Sequence, residues 1–253
     1  MFRWAVKQGF LKESPAEALP VIKAGSDRPP FRTVEEIDQI LNRGGLQPEE
    51  KQSIWDCLYL NPQEIAGLLA TVKENAKVDH AYLLHAMPAY TGMRRGEALR
   101  LRWLDVNFED KFVVARSLKQ SRTQQEVHRR IDMHPELEAI LASWKKERPR
   151  GQFVISDHQT HEALSPSRAN HAFWAPMRKT SWCLDAARNW YKIGFHTYRH
   201  SFASNLAAAG VDQRIIDEFM GHQTEAMRRR YRHLFPRKRR EAIEAFTLQA
   251  AAD

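Results

Sequence analysis

The two best strand candidates in this 253-residue chain stand next to one another, and the rest of the pattern is helical. Phe112-Val113-Val114-Ala115-Arg116-Ser117-Leu118 and Val127-His128-Arg129-Arg130-Ile131-Asp132-Met133 are separated by polar residues 119–126, which predicts a hairpin with a basic loop. Elsewhere the apolar residues recur every three or four positions. Thr33 and Glu36 form a capping pair ahead of Val34, Ile37, Ile40 and Leu41, a short helix that Gly44-Gly45 can close. Asn61-Pro62-Gln63-Glu64 repeats the start signal before Ile65, Leu68, Leu69 and Val72. Leu137, Ile140, Leu141 and Trp144 share one helical face, and Asp212 opens a helix carrying Ile215, Ile216 and Phe219 up to Gly221. The expected class is α+β, mainly helical, with one small antiparallel sheet.

Punctuation divides the chain. Residues 2–10 read as the end of a helix stopped near Gly9, and Pro15, Pro20, Pro29 and Pro30 mark a linker reaching residue 32. Residues 33–60 form an amphipathic connecting segment, and the main domain spans 61–253. That domain closes on Arg237-Lys238-Arg239-Arg240, the basic start of an amphipathic helix with Ala242, Ile243, Ala245, Phe246 and Leu248.

Composition narrows the function. With 43% apolar and 28% charged residues the chain can bury a core, which excludes wholesale disorder. No apolar run approaches the roughly 20 residues that cross a bilayer, and the amino terminus lacks the apolar stretch of a secretory signal, so a cytoplasmic location without membrane contact is expected. Cys57 and Cys183 stand far apart, which excludes a disulfide framework and a cysteine zinc site. Residues 1–110 hold 14 basic and 16 acidic side chains, whereas 111–253 hold 25 and 15, so the whole positive excess lies in the second part. Such asymmetry suits a polyanion, nucleic acid before an acidic membrane or protein surface.

Four clusters carry residues fit for phosphate chemistry. Thr91-Gly92-Met93-Arg94-Arg95-Gly96-Glu97 puts Arg94 at a helix start, where backbone N–H groups also favour an anion, with Glu97 three residues on to brace it. Lys119 enters the hairpin loop, where it could contact a phosphate or donate a proton. His196-Thr197-Tyr198-Arg199-His200 sets His196 and Arg199 on one helical face. A zinc pair of His196 and His200 fails because Thr197 stands where a zinc protease carries its glutamate. Met220-Gly221-His222 is followed by Tyr231 inside Arg228-Arg229-Arg230-Tyr231-Arg232-His233; Tyr191 and Tyr198 are the competing tyrosines. Singly, each cluster has an ordinary reading, a solvated arginine or a loop lysine.

In this order the clusters resemble the catalytic domain of tyrosine recombinases of the phage integrase family: Thr91-Gly92-x-Arg94-x-x-Glu97, Lys119 between two strands, His196-x-x-Arg199-His200, Gly221-His222, and Tyr231 nine residues later. The resemblance implies the DNA breaking–rejoining fold and a catalytic set of Arg94, Lys119, His196, Arg199, His222 and Tyr231. Tyr198 and Met220 stand where leucine is frequent, and Gln223 where a small or basic residue is usual. By resemblance Tyr231 attacks the scissile phosphate to give a 3′-phosphotyrosyl link, Lys119 protonates the leaving 5′ oxygen, His196 assists as base, and His222 donates to the phosphate. Glu97 and His200 would orient the arginine and histidine. Activating a phenol of pKa near 10 at pH 7 costs about 4 kcal/mol, much of which the guanidiniums of Arg94 and Arg199 can offset while holding the phosphate bidentately. No metal or nucleotide cofactor is needed.

Double-stranded DNA is the implied partner, met by Arg95, Arg122, Arg228, Arg229 and Arg230 as well. The working state implied is a homotetramer on DNA, nucleoid-associated, with the carboxy-terminal helix exchanged between subunits. Family members also carry a helical core-binding domain whose last helix resembles residues 2–10. The remainder is missing, which implies a truncated or a reduced version with weak DNA affinity. The segment 33–60 has no counterpart in the family pattern. Two rival readings share the residues: a type IB topoisomerase, and a DNA-binding regulator that has lost catalysis.

Overall fold

The computed structural model describes residues 2–15, 29–118, 126–147, 151–157, 159–221, 230 and 243. Helix α1 (Phe2–Lys7) ends in a turn where Gly9 takes a positive φ. The expected helix after Thr33 is α2 (Val34–Asn42), held by the reciprocal bonds of Thr33 and Glu36. A further helix, α3 (Pro48–Ile54), follows from a start signal that the sequence reading passed over: Pro48 at the first helical position and Glu50 accepting from the Gln47 N–H.

The core is built around α5 (His80–Thr91), which is apolar on every side and carries no stripe. It packs against α4 (Pro62–Asn75), α8 (Pro166–Trp174) and α9 (Phe195–Ala208), with α7 (Pro135–Glu147) also in contact. Between α5 and α7 lie α6 (Arg95–Arg100) and the sheet β1 (Val106–Asn107), β2 (Phe112–Leu118) and β3 (Glu126–Asp132), antiparallel in that order. The register pairs Val113 with Ile131 and Ala115 with Arg129, and alternate residues Val113, Ala115 and Ile131 enter the core. The hairpin of the sequence reading is therefore present, with its loop 119–125 outside the described residues. A second, two-stranded sheet of β4 (Cys183–Asp185) and β5 (Trp190–Tyr191) was not anticipated, because strands of two or three residues are too short to show alternation. Helix α10 (Gln213–Met220) completes the order.

Residues 29–60 pack into the same body. Ile37, Trp55, Leu58 and Leu60 join the main core, while Phe31 enters a smaller cluster with Ala203, Ala207, Ile216 and Met220 of α9 and α10. Backbone bonds tie Arg32 to Cys57 and Tyr59, and the Leu60 peptide is held by Ser201 and Asn205 of α9. Helix α9 is thus the rail against which the segment is set.

The rail itself is locked by one polar pair in an apolar interior. His85 of α5 is fully buried; its Nε2–H donates to the Phe173 carbonyl at 3.0 Å, so Nδ1 accepts from the Tyr198 hydroxyl at 2.7 Å. This accounts for a tyrosine where the family favours leucine: a hydroxyl facing a buried imidazole is satisfied, not stranded. Burial pulls the His85 pKa down to about 3. Unfolded, the ring takes its proton near pH 6.5, so the unfolded chain binds more protons between these values. The contribution to stability is complete above about pH 6.5 and is lost as pH falls toward 3, with a slope of up to about 1.4 kcal/mol per pH unit. Urea denaturation between pH 7 and 4 should show a flatter pH dependence for His85→Asn than for the wild type.

Candidate active site

Helix α5 ends at Gly92, whose φ of 62° is left-handed; a Cβ here would stand 2.7 Å from the Phe202 ring, so no other residue turns the chain in this space. The turn delivers Arg94 to the start of α6. Its backbone N–H donates to Glu97 Oε2 at 2.7 Å and its Nη1 to Glu97 Oε1 at 2.9 Å, leaving the side chain 45% exposed toward a cavity. Glu97 itself is 2% exposed.

Glu97 is shared. Arg129 of β3 donates to both carboxylate oxygens, at 2.9 and 2.6 Å, and Ser117 of β2 donates to Oε1. Burial alone would raise the Glu97 pKa, but the Arg129 guanidinium, the Ser117 hydroxyl and the Arg94 N–H hold it well below the usual carboxylate range. Arg129 also donates through Nε to the Phe219 carbonyl at 2.7 Å, and its side chain covers Gly221 at the end of α10. One carboxylate thereby joins α6, both long strands and α10. The sequence reading placed Glu97 as a brace for Arg94 and took Arg129 only as a strand residue. A signal was available, since the alternation that buries Ile131 turns Arg129 inward too, and an inward arginine needs an anion.

From the first turns of α9 come His196, Arg199 and His200. Arg199 is 6% exposed; its Nη1 donates to the Gly92 carbonyl at 2.6 Å and its Nη2 to that of Met220. A buried guanidinium thus stitches the α5–α6 turn to the end of α10. The His200 ring packs on Phe31, 4.3 Å between centroids, and the His196 and His200 rings lie 6.0 Å apart.

These side chains line one cavity of about 1290 Å³, together with Arg95 and Arg230. Among the described residues its wall carries five cationic side chains, Arg94, Arg95, Lys192, Arg199 and Arg230, against one carboxylate, Asp56. His196 is reached by solvent but closely surrounded; burial lowers its pKa, and the charges of Arg199, Arg94 and Arg95 lower it further against the opposing pull of Asp56. The imidazole is therefore neutral at pH 7 and able to accept a proton. Burial raises the Asp56 pKa against the pull of Arg230 and His196. Nothing in the sequence pattern marked Asp56, because none of the four motif clusters reaches the segment it belongs to.

Of the residues singled out from sequence, Arg94, Arg95, His196, Arg199, His200 and Arg230 meet in this cavity, with Glu97 behind Arg94. Arg230 is 6% exposed and turned inward, its guanidinium 3.8 Å from the centroid of the Phe31 ring. Lys119, Arg122, His222, Arg228, Arg229 and Tyr231 lie outside the described residues. Of the described residues that precede three of them, Arg230 lines the cavity, while Leu118 and Gly221 each follow a residue tied to its frame. Leu118 ends the strand whose Ser117 touches Glu97, and Gly221 follows the Met220 that Arg199 grips. Tyr198, one competing tyrosine, is spent on His85 deep in the core, where burial pushes its pKa far up. Tyr191, the other, stacks on Trp174 at the cavity's edge and is 4% exposed.

The sequence model of the phage integrase family matches residues 59–238. The chain belongs to the phage integrase family. Among relatives, it is 24% identical over 268 residues to a tyrosine recombinase XerC-like protein of Caldanaerobacter subterraneus subsp. tengcongensis, covering 96% of this chain and 62% of that one. It is 31% identical over 157 residues to the tyrosine recombinase XerA of Pyrococcus horikoshii, covering 60% of this chain and 50% of that one. The chain therefore spans about half to three-fifths of the length of these relatives. In fold it is similar to the Tn1549 transposon integrase, solved in complex with circular intermediate DNA, with a TM-score of 0.59 and 17% identity over 96% of this chain and 74% of that one. The small antiparallel sheets within a helical body are thus those of an integrase-family fold.

Within this integrase-family site the shared carboxylate is the element most costly to disturb. Glu97→Gln leaves the nearly buried Arg129 facing a neutral amide, and loss of one partner of a buried pair costs about 3–5 kcal/mol. Urea denaturation at pH 7 should show a loss of that order. The gap should narrow as pH falls below about 4.5, where the unfolded carboxyl takes up its proton, because a depressed pKa stabilises only above the unfolded value.

Proposed function

We propose that this chain is the catalytic part of a site-specific DNA recombinase that cuts and rejoins double-stranded DNA through a 3′-phosphotyrosyl intermediate. The observation that carries this reading is the cavity just described: two arginines and a neutral histidine face one space whose described wall is strongly cationic. The proposed division of the chain keeps 61–253 as the catalytic domain, 33–60 as a connecting segment and 1–32 as a helix and linker left from a core-binding domain.

In the proposed reaction a phosphodiester enters the cavity and its non-bridging oxygens meet the guanidiniums of Arg94 and Arg199. Arg199 is fixed beforehand by the Gly92 and Met220 carbonyls. Donors held in place stabilise the charge of the pentacoordinate transition state without reorganising. The Tyr231 oxygen bonds to phosphorus while the bond to the 5′ oxygen breaks; His196 takes the phenol proton, and Lys119 gives one to the departing oxygen. His222 donates a hydrogen bond to the phosphate, and His200 steadies His196 from the next turn of α9. A 5′ hydroxyl from another strand reverses the sequence, so the bond energy is kept and no cofactor is consumed. Arg95, Arg122, Arg228 and Arg229 extend the cationic surface along DNA, and assembly as a tetramer through exchanged carboxy-terminal helices, in a cytoplasmic, nucleoid-bound state, completes the reading.

A nicked suicide substrate tests the chemistry. Wild-type protein should give an SDS-stable protein–DNA adduct and Tyr231→Phe none, with DNA affinity changed by less than about threefold, since a single hydroxyl is removed. No adduct from the wild type would leave the regulator reading, and relaxation of a plasmid lacking specific sites would favour the topoisomerase. DNA binding should also weaken steeply with salt, log K falling by about 0.9 per log unit of salt for each phosphate neutralised. A flat salt dependence would remove the cationic wall as the DNA surface.

A further inference from the structure

From sequence Arg230 is a DNA contact, yet in the cavity wall its side chain is 6% exposed and is held by the segment at 29–57. Nε donates to the Pro29 carbonyl at 2.9 Å, Nη2 reaches Cys57 Sγ at 3.7 Å, and the guanidinium stacks 3.8 Å from the centroid of the Phe31 ring. Phe31 is itself fully buried against α9 and α10. We propose that residues 29–57 form a clasp for Arg230, and that Arg230 is a positioning residue: the cleavage step assigned to its neighbour Tyr231 depends on this hold rather than on contact of Arg230 with DNA. The inference rests on the proposed function for its consequence, but not for its geometry.

Three features give the clasp its grip. A planar guanidinium over an aromatic face is attracted to it more strongly when desolvated, and at 6% exposure this one is desolvated. The Pro29 carbonyl and Cys57 sulfur engage two different nitrogens of the fork, which a lysine cannot reproduce. Finally, the clasp is referenced to the rail that carries the phosphate-binding groups: Phe31 packs on α9, Arg32 bonds the Cys57 and Tyr59 peptides, and Leu60 is held by Ser201 and Asn205 of α9. Adjacent Cα atoms are about 3.8 Å apart, so anchoring Arg230 limits how far the next residue can lie from that frame.

The test separates the clasp from the reaction. Trypsin must take the Arg230 side chain into its own specificity pocket to cut the Arg230–Tyr231 bond, so a clasped arginine is protected. Digestion of the native full chain, followed by mass spectrometry, should show that bond cut at least tenfold faster in Phe31→Leu than in wild type, with far-ultraviolet circular dichroism unchanged. If Phe31→Leu fails to fold, the wild type alone decides: the bond after Arg230 should be cut at least tenfold more slowly than that after exposed Arg188, and equal rates would overturn the clasp. On the suicide substrate, adduct formation at saturating DNA should fall at least tenfold in Arg230→Ala and less in Arg230→Lys, with DNA affinity within threefold of wild type. A tenfold loss of affinity with an unchanged rate on bound DNA would return Arg230 to the DNA surface and overturn the proposal. If wild type is protected from trypsin yet forms no adduct, the recombinase reading falls and the clasp stands as a structural contact.

Discussion

A single buried carboxylate organises the cationic end of this molecule. Glu97 lies where α6, β2, β3 and α10 come together, and each of these elements brings a polar group that would be costly to bury alone. Two guanidiniums, a hydroxyl and a backbone N–H converge on the two oxygens of one carboxylate. The same arrangement explains how Arg94 can be both fixed and available. Its backbone and one nitrogen are held by Glu97 while nearly half of its side chain remains open to the cavity.

Helix α9 supplies the second half of the frame. Tyr198, locked to His85, keeps the helix from rotating, so that His196 and Arg199, on either side of it in sequence, keep their places on the opposite face. Arg199 then grips two carbonyls, at Gly92 and Met220, that belong to chain ends otherwise unrelated. The cavity is in this sense a meeting of loop ends held by arginines. Apolar packing sets the helices, whereas charge-assisted bonds to buried groups set the ends that carry the chemistry.

Much of this was legible in the residues. The long strands, α2, α4, α7 and α10 follow from periodicity and capping signals written within a few residues, which local physics reads without knowing the fold. Arg94, His196 and Arg199 were identified as partners because their motifs are specific in order and spacing. Other features left no such mark. The strands β4 and β5 are too short for a pattern, and α5 has no stripe because it is buried all round. Arg129 is one arginine among several in a basic run, and only its register opposite Ala115 aims it at Glu97. Asp56 meets the cavity, and Phe31 meets Arg230, across long sequence separations that no local signal spans.

The sequence by itself determined the kinds of element, where most of them begin, and the family, because helix caps, alternation and ordered motifs are local properties that survive translation along the chain. The tertiary structure alone decided which charges are spent and which are offered. Arg94 and Arg230 are the same residue type in basic stretches, and both meet the cavity, yet one is 45% exposed there and the other is buried on Phe31. That difference is a matter of burial and of the partners burial supplies, and both come from residues brought together from distant parts of the chain.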